Sequence, residues 1–225
     1  MAEITPASHS SIGRLILIPS VITLAVTILR LVGELQHWSK TWFNPEPGGP
    51  WAIVGITWLA PIFGVYFALK LASQGQGPAS TWRALGFALL GVVVVVGGVF
   101  LEQILRGRFT FRQELIYIWI NWALGAALTL PGWPRFFRAL LAYGYAARIP
   151  VVVVMFLAFR GNWGTHYDAL PPNFPAMGLW PKFLWLGFFP QLIFWVGFTI
   201  VTGMLFGTIA AAIARLAHRP PQTSS

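Results

Sequence analysis

Arg148 stands near the middle of an apolar stretch, residues 136–159, bounded by Arg135 and Arg160. That stretch is as long as a bilayer crossing requires, roughly 20 residues. A guanidinium stays charged in a protein. Near the bilayer centre it costs from about 2.5 to over 10 kcal/mol, depending on the reference state. Such a charge needs polar company, and the chemistry it offers is contact with an anion or a polar solute. Pro150 frees the carbonyl of Ala146 and Gly144 eases a bend, which loosens the backbone on either side. On the rise of a helix, Arg148 lies about 18 Å below Arg160, away from both long loops. Asn121 and Gln191 lie about 10–13 Å in from the same face. Arg148, Asn121 and Gln191 are therefore the expected binding residues.

A second group could hold a divalent metal through nitrogen and oxygen ligands. Glu34 and His37 have i, i+3 spacing, which places them on one helical face. Glu102 and Glu114 close one apolar run and open the next, and His166 and Asp168 share a later loop. Di-iron bundles use two Glu-x-x-His pairs, and this chain has one. The plainer expectation is interfacial carboxylates paired with Arg106, Arg108 and Arg112. No cofactor is expected beyond such a metal. Trp38, Trp42, Trp51, Trp163, Trp180 and Trp185 gather toward the same face, as an aromatic belt does.

Several activities have no residues to support them. There is no cysteine, which removes disulfides, iron–sulfur ligation and thiol catalysis. No P-loop, GxGxxG, GxSxG or HExxH is present. The net charge of +9 would suit nucleic acid in a soluble domain, but most Lys and Arg residues lie at the ends of apolar runs. There they meet lipid headgroups, so the bilayer is the expected partner and nucleic acid is not. Enzymatic activity is not expected.

The elements that would position these residues follow from composition. The chain is 56% hydrophobic and 9% charged, against about 25% charged in soluble domains. An all-α, polytopic transmembrane bundle in one domain is the consequence, with about six spans at 12–33, 51–71, 82–105, 113–133, 136–159 and 183–215. Five spans is the alternative if the first lies in the interface. Pro61 is expected to kink the second span, and the sixth is too long for one upright crossing. Residues 1–11 and 218–225 read as disordered tails.

Lys and Arg divide evenly between the two sides, so they do not set orientation. The lopsided acids favour cytoplasmic termini, in a bacterial inner membrane. Gly203 and Gly207 form a GxxxG that would pair helices or copies of the chain. Together these features lead to the expectation of a binding or transport-type scaffold. A structural or assembly subunit is the alternative, and a metal-dependent membrane enzyme ranks third.

Overall fold

The computed structural model describes residues 11–48, 52–172 and 174–217. The expected tails at 1–11 and 218–225 lie outside them, except for Ser11, which caps α1. Among the described residues every regular element is helical, with no strand. The helices are α1 (Ile12–Leu35), α2 (Leu59–Ser73), α3 (Thr81–Ile104), α4 (Phe111–Thr129), α5 (Pro134–Gly161) and α6 (Leu179–Ala217).

Their ends follow local chemistry. Ser11 and Ser80 cap α1 and α3, each accepting from an amide three residues on. Thr110 and Gln113 form a capping box on α4. Pro134 opens α5, where a missing amide costs nothing, and left-handed Asn162 closes it. The valine run Val92–Val96 is helical, because a backbone in an apolar medium must satisfy itself internally.

Four helices, α1, α3, α5 and α6, are long and apolar enough to cross a membrane. The expectation of about six exceeds this for two reasons. The amides of Ile53 and Val54 bond back to the carbonyls of Thr41 and Trp42, so residues 52–58 turn instead of extending α2. What remains of α2 is 15 residues, about 22 Å of helix against a 30 Å core. Pro61 consequently falls in the first turn of α2, where it removes no helical hydrogen bond and makes no kink. The other case is α4, whose apolar run is diluted by Arg112, Gln113, Glu114 and Asn121.

The last helix is the axis of the bundle, touching α2, α3, α4 and α5, while α1 lies outside against α5. The core it shares includes Phe67, Phe136, Leu140, Tyr143 and Met204, all fully buried. Large apolar side chains such as Ile18, Phe100, Ile104 and Ile213 face outward.

The GMLFG stripe works inside this chain. A Cβ on Gly64 would lie 2.5 Å from the Gly203 Cα, and one on Gly207 would lie 2.6 Å from the Gly64 carbonyl oxygen. The glycines expected to pair helices or copies of the chain let α2 and α6 touch backbone to backbone. Gly64→Ala should destabilise the fold by about 1–3 kcal/mol, because backbone cannot move aside as a side chain can. Gly97→Ala should not, since nothing lies within 4 Å of its Cβ position. Equilibrium unfolding in mixed micelles with increasing dodecyl sulfate compares the two variants.

Candidate functional site: a cavity walled by Arg148

A cavity of about 370 Å³ opens between α1, α5, the first half of α6 and the two long loops. That volume lies within the range of small-molecule sites, roughly 300–1,000 Å³. Its polar wall is Thr27, Arg30, Arg148, His166, Tyr167 and Gln191, and Ile56, Val151, Met155, Leu186 and Trp195 supply apolar surface.

Arg148 is 5% exposed on α5. One terminal nitrogen donates to Gln191 Oε1 at 3.2 Å, and the guanidinium carbon lies 4.5 Å from the centre of the Trp195 ring. Both contacts are electrically neutral. Its Nε is buried with no hydrogen-bond partner, and among the described residues no carboxylate forms an ion pair with it.

The neighbours of Arg148 come from a widened part of α6. Pro190 has no amide to give the α-helical ladder. The chain answers with two π-helical turns, Leu184–Phe188 and Pro190–Phe194. Phe189 and Trp195 then bond to carbonyls five residues back, those of Leu184 and Pro190. Such turns re-aim side chains and recur at functional sites. Here Gln191 and Trp195 meet the same guanidinium, and Gln191 Nε2 is held toward Met155 Sδ at 3.4 Å.

Near the loops, a second polar group is built on Glu34. Its side chain is fully enclosed. Oε1 accepts from Arg30 Nε at 2.9 Å, and Oε2 accepts from the backbone amide of His166 at 2.8 Å. His166 Nδ1 lies 2.6 and 2.8 Å from the two oxygens. Arg30 also donates to the Asn44 carbonyl at 3.2 Å. The loop is shaped by Asp168, whose carboxylate accepts from the amides of Gly164 and Thr165 and from the Thr165 hydroxyl. Tyr167 is 4% exposed and donates to the Thr27 carbonyl at 3.3 Å. Burial pushes the Tyr167 phenol up, so it stays protonated.

The sequence-derived residues are divided by this arrangement. Arg148 and Gln191 meet. Asn121 does not reach them: its Nδ2 donates to the Val95 carbonyl at 3.0 Å and its side chain packs on Gly98, tying α4 to α3. Glu34 and His166 meet, whereas His37 lies past the end of α1 at a φ of 52°, exposed, so i, i+3 spacing no longer places it beside Glu34. Glu102 and Glu114 sit at the ends of α3 and α4, and Asp168 faces its own loop. Among the described residues no three His, Asp or Glu side chains gather where they could hold a metal.

The depth estimate also needs correction. The rise put Arg148 away from both long loops, yet it shares a cavity with Gly48, Ala52, His166 and Tyr167. The loops fold down into the bundle, each anchored by polar contacts to α1. Thr27, Arg30, Tyr167 and Trp195 were not singled out from sequence. Only the i, i+4 spacing of Arg30 and Glu34 could have announced one of them.

Burial holds the His166 imidazole below the ordinary histidine value of 6.5, and Arg30 acts in the same direction against the hydrogen bond that His166 donates to Glu34. The unfolded chain therefore takes up this proton first as pH falls. Stability present above about pH 6.5 should be lost progressively on acidification, and His166→Gln should flatten that part of the profile. Thermal unfolding at pH 7.5, 6.5 and 5.5 reads it. Comparison with models of known protein families, with curated proteins and with solved structures gives no match.

Proposed function

We propose that this chain is a multi-pass membrane protein whose cavity binds an anionic or polar solute, as a non-catalytic binding or transport-type scaffold. The observation that carries this reading is Arg148: a buried cation, contacted by an amide and a ring, unpaired by any described carboxylate, in the wall of a ligand-sized cavity. Buried charge without a counter-ion is costly, and intramembrane charge of this kind marks solute pathways. An anion in the cavity would supply the missing charge. In this reading all six helices traverse an inner membrane, α2 and α4 completing the bundle between longer neighbours, with the termini cytoplasmic.

A structural or assembly subunit is the second reading. It is favoured by the fact that Arg148 already has two neutral contacts, with Gln191 and Trp195, which could lock α5 to α6 without any solute.

Titration calorimetry of the full chain in phosphatidylcholine nanodiscs, with acetate, benzoate and inorganic phosphate as probes, separates the two. Saturable one-to-one binding of at least one anion is expected, with no binding of a choline control. Absence of binding by all three contradicts the solute reading and leaves the subunit.

A further inference from the structure

We propose that the Glu34–His166 pair takes up one proton when an anion binds at Arg148, so that the cavity receives a monovalent acid as its anion plus a proton. The inference rests on the solute reading above and adds the coupled proton.

The geometry fixes the tautomer. A carboxylate offers only acceptors, and both Glu34 oxygens face His166 Nδ1, so Nδ1 carries a hydrogen. In the neutral ring Nε2 is then the acceptor. Among the described residues no group donates to Nε2. The ring lies against that of Tyr167, with centroids 3.9 Å apart and the planes inclined by 43°, and both residues line the same cavity as Arg148. One cavity thus holds a fixed cation and a titratable acceptor.

The surrounding charges decide when that acceptor fills. From α1 come Arg30 and Glu34, which are paired with each other, and from α5 comes Arg148, which has no carboxylate partner among the described residues. Asp168, on the loop of His166, is engaged by Gly164 and Thr165. Lys182 of α6 lies over the Phe159 ring, and Arg160 ends α5. On the loop after α1, His37, Lys40 and Glu46 are outside the cavity wall. With no anion bound, a second positive charge on His166 would add to that of Arg148 in a poorly solvated space. Burial, with Arg30 acting in the same direction, already holds the imidazole below the ordinary histidine range. A monovalent anion cancels the charge of Arg148, and the opposition to protonating Nε2 falls. The proton comes from water, adds to Nε2, and no other bond changes. Anion and proton together bring no net charge into the apolar bundle, where net charge is most costly.

Linkage gives the sign. If anion binding raises the proton affinity of His166, protonation raises anion affinity by the same factor. Affinity should therefore weaken as pH rises, about tenfold per unit between the proton-binding midpoints of the free and liganded sites. Above the liganded midpoint it should level off.

The test is the same nanodisc calorimetry, run from pH 5.5 to 8.5 in two buffers of different ionisation heat. Uptake of close to one proton per anion is expected in the sloping range, with His166→Gln binding weakly and independently of pH. Thermal unfolding confirms that this variant is folded, and histidine ¹⁵N resonances follow the His166 proton directly if it is not. Binding with no proton uptake, no pH slope and no shift of the His166 resonance overturns the coupling and leaves the solute reading standing. Failure of acetate, benzoate and phosphate to bind at any pH overturns both.

Discussion

Arg148→Leu is expected to give a folded protein that has lost anion binding by at least a hundredfold. The removed interaction is a charge-assisted contact in a low-dielectric cavity, where truncating one partner costs about 2–5 kcal/mol. Two decades of affinity correspond to about 2.7 kcal/mol, inside that range. Stability should move the other way or stay level. The variant gives up the hydrogen bond to Gln191 and the ring contact with Trp195, the latter worth up to about 2 kcal/mol in a desolvated site. It also removes an uncompensated buried cation, a penalty of several kcal/mol. Such a trade of stability for function is common at binding sites. Calorimetry with benzoate and thermal unfolding on the same sample report the two effects separately. If Arg148→Leu and Arg148→Gln both fail to fold, the arginine is a helix lock and the subunit reading gains.

Glu34→Ala should be the most damaging single change to the fold near the cavity. It removes the acceptor that holds Arg30, the backbone of His166 and the His166 ring at once. Breaking a buried pair from one side costs about 3–5 kcal/mol, because the remaining charge is stranded. For a chain of this size each kcal/mol shifts Tm by about 2–4 °C, so a fall of roughly 6–20 °C is expected. The loop at 162–178 should also become open to proteolysis, since two of its ties to α1 pass through this carboxylate. Adding Arg30→Ala should recover part of the loss, and the double-mutant cycle measures how much. Additive losses would mean that Arg30 and Glu34 act independently.

What the sequence disclosed about this site depended on how local each feature is. Arg148 announced itself because one charge in a long apolar run is conspicuous without any tertiary information. Gln191 was found from depth along its helix, yet the same arithmetic offered Asn121, which turns to the Val95 carbonyl on α3 instead. Depth along a helix is one coordinate, and the azimuth that separates these two amides comes from packing. In the case of Gln191 it comes partly from the π-helical turns around Pro190, which no apolar period displays.

The loops were the least legible part. Glu34 was grouped with His37 by helical spacing, but α1 stops at Leu35 and the partner is His166, 132 residues away in sequence. The second span was drawn too long for a similar reason. Its apolar lead-in, residues 52–58, is captured by loop 41–42, and hydropathy does not distinguish a turn tucked over a cavity from a helix crossing lipid. The helical class was clear from composition because it rests on a property of the whole chain.

A structure of the full chain in lipid, crystallised with 4-bromobenzoate and phased on the bromine, tests most directly whether the Arg148 charge is there to meet a solute. The expected result is a bromine peak inside the cavity, with the carboxylate on the Arg148 guanidinium. A cavity without the probe, with Arg148 still held only by Gln191 and Trp195, would contradict it.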